Sequence, residues 1–505
     1  MELRLLVGNL LETQCDVLAV TCFGDPAKDA TVKALNTALG GLVLEAATAE
    51  SFEGKSLQIL GLHTGGKLPA KRILVVGLGN KNDFSSPQFR DVTACIAAHG
   101  NKVGAVHVAC LLPSLGGKRD EKALQHATEG VYLGGYKFDR YLTSEDSKKK
   151  PSVQTISFFT ELKAHKLNAS ALKLAAGLIE RGTVVARAIN TARNYINEPA
   201  AVITPTALAT EALALAKKHK SLTVTVLNEK KCAELGMGMF LAVGQGSDQE
   251  SQFIHIKYTP EKKPKKKIAL IGKGVTFDSG GYSLKPSAGM EDMKVDMSGA
   301  AAVIASMDAV ATLGSEHEVH AVAACCENLV SGKAYKLGDI LKSMDGTTVE
   351  INNTDAEGRL TLGDAITYAR TKIEPDEMFD FATLTGACMV ALGPYTAGVM
   401  SDNEPLTRGW LAAAERSGED MWRLPLNPRL REQLKSPIAD MRNTGDRFGG
   451  AITAALFLKV FAKDTPYVHV DIAGPASVSS SRPATPKGGT GFAVATILEY
   501  VTSKS

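Results

Sequence analysis

Charged side chains that could perform catalysis are concentrated in three short stretches of the sequence. The stretches are IALIGKGVTFDSGGYSLKPS at 268–287, MEDMKVDMSGAAAV at 290–303 and NTDAEGRL at 353–360. Their candidate site residues are two lysines, four carboxylates and an arginine: Lys273, Lys285, Asp278, Asp296, Asp355, Glu357 and Arg359. Four carboxylates buried together need their charge neutralised, and two divalent cations would supply the match. The set therefore predicts a two-metal hydrolase, in which the ions activate a water and polarise a carbonyl or phosphoryl oxygen.

The ligand types narrow the choice of metal but not the choice of substrate. Carboxylates without histidine suit Mg²⁺ or Mn²⁺, and Zn²⁺ also accepts them. One lysine would have to lose its proton to bind a metal, whereas the other could stay protonated and meet a developing oxyanion. These residues alone do not choose between a peptide and a phosphate ester.

Some of the same residues have a purely structural interpretation. Thr354 and Glu357 match a capping box at the start of a helix, and Asp296 could cap the helix predicted after Ser298. A helix start does not explain Arg359, because the macrodipole favours anions in the first turn. The glycine-rich loop after 268–271 matches neither GxxxxGK[ST] nor GxGxxG, which disfavours nucleotide binding.

The elements that must position these residues alternate between strands and helices, which predicts α/β architecture with sheets flanked by helices. Strands are predicted at 3–7, 16–21, 57–62, 72–76, 105–111, 155–159, 222–227, 253–258, 268–272, 318–325, 347–351, 378–384 and 467–472. Helices are predicted at 27–39, 86–99, 120–134, 169–196, 299–313 and 449–462. In an open α/β sheet, ligands bind where strands end, so the charged residues are expected to converge there.

Two domains are predicted. A smaller N-terminal α/β domain covers 1–165, with the linker-like TSEDSKKKPS at 143–152 near its end. A connecting helix at 166–196 leads to a larger C-terminal domain at 197–505, with a mixed sheet flanked by helices. The larger domain contains all three charged stretches, so we expect it to be the catalytic one.

Composition predicts an ordinary globular protein of the cytoplasm. Hydrophobic residues make up 44% of the chain and charged residues 22%, while the net charge of +3 gives no support to a nucleic-acid or membrane partner. The eight cysteines show no CxxC, which favours buried thiols over a disulfide framework. The N-terminus shows no signal-peptide core. Lysine runs at 148–150 and 262–267 are interpreted as loops.

The three stretches, at these separations, resemble the leucine aminopeptidase (cytosol aminopeptidase) family of two-metal exopeptidases. The resemblance continues through FATLTGA at 381–387, FGGAITAALFL at 448–458 and HVDIAGPA at 469–476. It covers roughly 190–505, and the first third resembles the variable α/β domain of the family. Tyr467 stands where a tryptophan is expected.

The resemblance implies a role for each residue of the site. One metal would be held by Lys273, Asp278, Asp296 and Glu357, and the other by Asp278, Asp355 and Glu357. Lys285 would stabilise the tetrahedral intermediate. Arg359 would hold a bicarbonate ion that serves as general base, with the backbone N–H groups of Gly358 and Leu360 as further donors. The pocket for an apolar side chain such as leucine would include Met293, Thr383 and Gly386.

The resemblance also implies the reaction. The free α-amine of a peptide would bind one metal and its scissile carbonyl the other, after which a metal-bridging hydroxide attacks and leucine or another apolar N-terminal residue is released. The requirement for a free amine makes the enzyme an aminopeptidase. Mn²⁺ or Zn²⁺ is the expected metal, with Mg²⁺ as a third option, and the family assembles as a homohexamer, a dimer of trimers.

Two other functions compete with this one. A two-metal phosphoesterase would need more basic residues around the metals than Lys285 and Arg359. A secondary DNA-binding or scaffolding role is the other alternative, because some relatives are thought to bind DNA.

Three patterns in the sequence resemble metal-binding or catalytic motifs but are interpreted as structural. EHEVH at 316–320 is one residue short of the zinc-protease motif HExxH, and its valines favour a strand. His469 is interpreted as a hydrogen-bonded strand histidine. Cys325 and Cys326 lack a paired base and are interpreted as core thiols.

Overall fold

The computed structural model describes residues 1–115, 122–144, 151–161 and 168–503. The chain divides into two compact units. The first unit is Met1–Arg187 with Ser480–Pro486, and the second unit is Ala188–Ser479 with Lys487–Ser505. The predicted boundary at residue 165, the lysine run at 148–150 and most of the predicted linker at 143–152 lie outside the described residues.

The first unit is a six-stranded sheet with helices packed on it. Its strands are β1 (Glu2–Leu5), β2 (Val17–Phe23), β3 (Ile59–His63), β4 (Arg72–Gly79), β5 (His107–Leu111) and β6 (Thr155–Phe159), in the order β1-β6-β5-β2-β4-β3. Only β3 runs antiparallel to its neighbour among these strands. Its helices are α1 (Ala30–Ala38), α2 (Leu42–Ala49), α3 (Phe89–Lys102) and α4 (Ala123–Gly134). Consecutive residues of β2, Val17 and Leu18, enter two different apolar clusters, so both faces of the sheet are covered.

The long helix α5 (Ala169–Asn197) contains the division between the two units, which falls between Arg187 and Ala188. It ends one residue beyond its predicted limit, two residues before Pro199.

The second unit is built on a mixed eight-stranded sheet. Its eight strands are β7 (Leu222–Leu227), β8 (Gln252–Tyr258), β9 (Lys267–Asp278), β10 (Glu318–Asn328), β13 (Glu377–Ala382), β14 (Ala397–Met400), β15 (Met421–Arg423) and β17 (Tyr467–Asp471). The small strands β11 (Ile340–Lys342), β12 (Thr348–Glu350) and β16 (Met441–Arg442) form a separate sheet. The sheet order is β15-β14-β17-β13-β9-β10-β8-β7. Short strands β18 (Ser477–Val478) and β19 (Gly488–Gly489) pair with each other.

Helices flank this sheet. They are α6 (Pro205–Lys218), α7 (Glu229–Glu234), α8 (Gly238–Gly244), α9 (Ser287–Met290), α10 (Ser298–Leu313), α11 (Gly358–Tyr368), α12 (Gly386–Leu392), α13 (Glu404–Ser417), α14 (Gly450–Ala462) and α15 (Val494–Thr502). The prediction of a mixed sheet flanked by helices is confirmed.

The centre of the sheet positions the charged residues. Strands β13, β9 and β10 are neighbours and run parallel, so their carboxyl ends meet at one edge. Strand β9 is buried on both faces along most of its length, as is usual for a central parallel strand. The residues at and just beyond these three strand ends form the site described below.

Two predicted helix caps are wrong. Glu357 is the N-cap residue of α11 but makes no side-chain cap hydrogen bond. The Thr354 hydroxyl instead donates to the Gly280 carbonyl (2.7 Å) and accepts from the Ser283 N–H (2.7 Å), because the loop after β9 packs against it. Asp296 does not cap α10, because it lies in the preceding 3-10 helix, Met293–Met297, and α10 itself begins at Ser298.

One helical stretch in the described part of the chain, Ser287–Leu313, has the length and mean hydropathy (1.2) of a membrane span. Since 78% of its apolar window is buried inside the protein, it is better interpreted as a core helix of this unit.

Candidate metal centre

A β-bulge in β9 brings Lys273 and Asp278 to the same face of the sheet. The two residues lie five positions apart on β9, yet they pair with Ala324 and Asn328, which lie four apart on β10. The register shift between Cys326 and Glu327 accounts for the extra residue of β9. Side chains alternate along a strand, so without the bulge Lys273 and Asp278 would face opposite sides.

Lys273 joins the second and third charged stretches. Its Nζ lies 2.7 Å from Oδ2 of Asp296 and 2.8 Å from Oε1 of Glu357, and all three side chains are almost completely buried. The residue after Glu357 must be small, because a Cβ on Gly358 would come within 2.5 Å of Lys273 Cε. The Gly in the NTDAEGRL motif is therefore required by the lysine that packs against α11.

Lys285 occupies the other side of the cluster. Its Nζ lies 2.8 Å from Oδ2 of Asp278 and forms an ion pair with Asp355. The loop between β9 and Lys285 turns at Gly280, whose φ is +84°, and a Cβ there would meet Asp355 Oδ1 at 2.7 Å. Lys285 is 16% exposed, whereas Lys273 is 4% exposed, so Lys285 is the more accessible cation.

The carboxylates form a group that fits a divalent cation. Asp278, Asp355 and Glu357 each offer an oxygen, and these oxygens lie within 4.8 Å of one another. Oε2 of Glu357 is buried without a hydrogen-bond partner among the described residues, a costly state for a carboxylate oxygen unless something else binds it. Hard oxygen donors with one amine nitrogen nearby are suitable ligands for Mn²⁺, Zn²⁺ or Mg²⁺.

Burial and charge oppose each other in setting the pKa values of these groups. Burial alone would lower the pKa of Lys273, but the carboxylates around it, Asp296 first, hold that pKa above its ordinary value. The pKa of Lys285 is raised for the same reason, chiefly by Asp278. Burial raises the pKa of Asp296 and Glu357, and the Lys273 ammonium opposes that rise. The sequence-based expectation was that a lysine bound to a metal has a lowered pKa. That expectation concerns the protein with metal bound and stays a prediction.

Arg359 lies in the first turn of α11 and is 7% exposed. One of its terminal nitrogens donates to the Asn443 carbonyl at 2.8 Å, while its Nε is buried without a partner in the described residues. Burial lowers the pKa of Arg359 to about 10, against the opposing effect of Glu357 and Asp471. The Leu360 N–H, predicted as an anion donor, already donates to the Glu357 carbonyl at 2.9 Å. Gly358 is the first residue of the helix.

The three predicted pocket residues lie on different elements of the second unit. Met293 is half-buried at the start of the 3-10 helix, and Gly386 begins α12. A Cβ on Gly386 would meet no atom within 4 Å, so there is open space beside it. Thr383 follows β13, and its hydroxyl donates to Oδ1 of Asp296 at 2.7 Å. This contact with a candidate metal ligand was not predicted from the sequence.

Asn328 is a second residue that the sequence analysis missed. Its side chain is fully buried at the end of β10 and donates to Oδ1 of Asp278 at 2.8 Å. The predicted strand stopped at 325, three residues before Asn328. Asn328 could have been predicted from its position, because it is a polar residue at the end of β10, the strand next to β9.

The histidines and cysteines that were interpreted as structural residues lie in strands or in the core. His320 lies in β10, where its Nδ1 shares a hydrogen bond with Nε2 of His255 (2.8 Å). His469 is buried in β17, and its Nδ1 pairs with Asp380 at 2.8 Å. All eight cysteines are free thiols, and Cys325 and Cys326 are completely buried.

Comparison with known proteins assigns the whole chain to one family. The family model described as "Cytosol aminopeptidase family, catalytic domain" matches residues 190–498, and that described as "Cytosol aminopeptidase family, N-terminal domain" matches residues 19–145. A probable cytosol aminopeptidase of Alkaliphilus oremlandii is 40% identical over 505 residues, which cover 100% of this chain and 99% of the relative. One from Picosynechococcus sp. is 41% identical over 473 residues, 93% of each chain.

Solved structures agree with these relatives. A mutant of tomato leucine aminopeptidase has a TM-score of 0.88 and 34% identity, covering 99% of this chain and 96% of its own. The bottromycin maturation enzyme BotP in complex with Mn has a TM-score of 0.82 and 32% identity, covering 96% of this chain and 98% of its own. The chain therefore belongs to the cytosol aminopeptidase family of metal-dependent aminopeptidases.

Proposed function

We propose that this protein releases leucine and other apolar N-terminal residues from peptides by two-metal catalysis. The observation that carries the proposal is the convergence of Asp278, Asp355 and Glu357, whose oxygens lie within 4.8 Å of one another. Asp296 joins this group through Lys273, which contacts both Asp296 and Glu357.

The same residues would hold the ions. Lys273, Asp278, Asp296 and Glu357 would bind one metal, and Asp278, Asp355 and Glu357 would bind the other. When bound, two divalent ions activate a water and polarise the scissile carbonyl. Mn²⁺ is the first candidate because BotP is described in complex with Mn; Zn²⁺ and Mg²⁺ are alternatives, since carboxylates discriminate poorly between such ions.

Lys285 would stabilise negative charge that develops on the carbonyl oxygen of the substrate. Its ammonium lies at the accessible side of the carboxylate cluster, in contact with Asp278 and Asp355. A hydrogen-bond donor fixed in this position would stabilise the negative charge that develops in the transition state. Such donors make large contributions to the catalytic rate.

Arg359 would bind a bicarbonate ion. Its buried guanidinium has an Nε without a partner in the described residues, which suits a small planar anion. Bicarbonate held there would supply a general base. The Gly358 N–H, at the helix N-terminus, would be the more suitable backbone donor, because the Leu360 N–H is already hydrogen-bonded.

Met293, Thr383 and Gly386 would line the pocket for the N-terminal side chain. The open space beside Gly386 supports a pocket there. Peptides with a free N-terminus are then the substrates. From the family resemblance we also propose a homohexamer, a dimer of trimers, and the name of the relatives supports a location in the cytoplasm.

Turnover of leucine amide and of its N-acetylated form tests the proposal. We expect hydrolysis of leucine amide to be lost after chelation and restored by Mn²⁺ or Zn²⁺, because the ions supply the activated water. The acetylated form should resist hydrolysis under all conditions, since it has no free amine to bind. Equal turnover of both forms, or full activity after complete removal of metal, would refute the proposal.

A further inference from the structure

Two neutral side chains donate hydrogen bonds to carboxylates of the candidate metal centre. Each comes from the end of a strand beside β9, one from β10 and one from beyond β13. The Asn328 amide donates to Oδ1 of Asp278 at 2.8 Å, and the Thr383 hydroxyl donates to Oδ1 of Asp296 at 2.7 Å. One donor therefore contacts Asp278 on β9 itself, and the other contacts Asp296 in the 3-10 helix Met293–Met297.

Asn328 fixes Asp278 and the loop that carries Asp355 at the same time. Its amide nitrogen, which can only donate, also donates to the Thr354 carbonyl at 3.0 Å. The Gly280 N–H is a second donor to Oδ1 of Asp278, at 2.9 Å. Oδ1 is thus engaged twice by neutral donors, while Oδ2 of the same carboxylate pairs with Lys285.

Thr383 contacts two candidate ligands of the same metal. Its hydroxyl bonds Asp296, and its backbone carbonyl accepts a hydrogen bond from Lys273 Nζ at 3.1 Å. Removing the hydroxyl alone would leave the carbonyl contact in place. The hydroxyl can therefore be tested separately from the backbone.

We propose that Asn328 and Thr383 are positioning residues that hold Asp278 and Asp296 in the orientation that binds metal. The inference rests on the proposed two-metal function and gives Thr383 a role beyond lining the substrate pocket. Groups that hydrogen-bond metal ligands without touching the metal typically change its affinity about 10–100-fold when removed.

Mn²⁺ binding by Thr383→Val and Thr383→Ser, measured by calorimetry on the full chain, is the first test. Valine keeps the shape but removes the hydroxyl, so we expect the Kd for Mn²⁺ to rise about 10-fold or more. Serine keeps the hydroxyl and should stay within about 3-fold of the parent protein. Thr453→Val is the matched control, because its hydroxyl bonds only the Gly450 carbonyl within α14 among the described contacts.

Asn328→Ala supplies the second arm. We expect weaker Mn²⁺ binding again, and for both weakened variants peptidase turnover should recover as Mn²⁺ approaches saturation. A role of Thr383 in the substrate pocket alone would raise KM for leucine amide and leave Mn²⁺ affinity unchanged. Circular dichroism on each variant confirms that binding is measured on folded protein.

The outcomes separate this inference from the proposed function. Parental Mn²⁺ affinity in Thr383→Val, or equal weakening in the valine and serine variants, would overturn the inference while leaving the two-metal function intact. A parent protein that binds no Mn²⁺ and no Zn²⁺ would overturn both.

Discussion

Lys273 and Lys285 touch the same group of carboxylates but have different access to a substrate. Lys273 is enclosed between Asp296 and Glu357, and its ammonium also donates to the Thr383 carbonyl. Lys285 lies at the open side of the cluster. A buried lysine can act as a ligand or a fixed charge, whereas only the accessible one can follow charge that develops on a substrate.

Lys285→Ala and Arg359→Ala should each lower kcat for leucine amide by about 10²–10³-fold, because each removes a group aimed at reacting atoms. Neither change should unfold the protein, since alanine is tolerated in a loop and in a helix. Steady-state kinetics with circular dichroism provide the measurement. Lys336→Ala, which removes a lysine from an exposed pair with Asp339, is the control. Undiminished turnover in both site variants would show that these roles are assigned to the wrong residues.

The sequence pointed to the charged residues of the candidate site but not to the neutral hydrogen bonds made to them, since Thr383 was expected only in the substrate pocket and Asn328 not at all. Charge made Asp278 and its partners conspicuous, because four acids in one crevice require an explanation. Asn328 and Thr383 carry no such signal, since an isolated polar residue at a strand end is common. Their importance becomes visible only when the register of β9 against β10 and β13 is known.

At the scale of elements, the longest helix was predicted well, while several short strands were missed. The predicted helix at 169–196 corresponds to α5, and the predicted strand at 155–159 matches β6. Strand β9 was predicted to end at 272 but continues to Asp278, because its polar residues are paired in the site and break the apolar pattern. Strands β11, β14 and β15 have three or four residues each, too few to show a period.

The turn after α14 contains a strained residue. Lys463 has φ 47° and ψ −123°, and the Thr465 N–H donates to the Ala462 carbonyl at 3.1 Å. These are the angles of the first central position of a type II′ turn, which glycine normally occupies. A side chain held there costs about 1–3 kcal/mol. The Lys463 ammonium pairs with Asp345 at 3.2 Å, but the lysine is half exposed, so the pair contributes little.

Lys463→Gly should therefore raise the free energy of unfolding by about 1 kcal/mol, since the relieved strain exceeds the entropy that glycine adds to the unfolded chain. Urea unfolding of the metal-free protein provides the measurement. Lys463→Ala is the matched control, because it loses the same ion pair and keeps the strained Cβ. If the glycine and alanine variants are equally stable, the turn is not strained.

Asp364 joins two elements through a buried carboxylate. From α11 it accepts hydrogen bonds from the Phe240 N–H (2.8 Å) in α8 and the Met344 N–H (2.7 Å). Burial raises its pKa to about 7, although these backbone donors oppose the rise. Because the folded-state pKa lies above the unfolded value, this group stabilises the fold most below about pH 4, and the contribution is lost as the pH rises through about 7.

The difference in melting temperature between the parent protein and Asp364→Asn should change with pH. Asparagine does not titrate, so the parent should lose stability relative to the variant between about pH 4 and about pH 7. Asparagine also turns an N–H group toward a backbone donor, which lowers stability at every pH. Scanning calorimetry of both metal-free proteins tests this expectation, and a difference that stays constant with pH would contradict it.

At the scale of the whole molecule, every candidate metal ligand belongs to the second unit. The ligands lie on β9, on the 3-10 helix before α10 and just before α11, all within Ala188–Ser479. Each unit also has its own apolar core, since the clusters around Val17 and Leu18 are confined to the first unit and the one around Phe457 to the second. A ligand that binds the folded second unit should therefore stabilise that unit first.

Hydrogen exchange with and without Mn²⁺ can detect this division. At a free concentration about 100 times its Kd, a metal stabilises the state that binds it by about 2.7 kcal/mol. Added Mn²⁺ should slow exchange in peptides from β9, β10 and α11, and leave β2, β4 and β5 unchanged. Asp278→Asn removes an oxygen that both metals are proposed to share, and should abolish the effect. Equal protection of β2 and β9 would show that metal binding is not confined to the second unit, and protection of β9 that persists in Asp278→Asn would place the metal elsewhere.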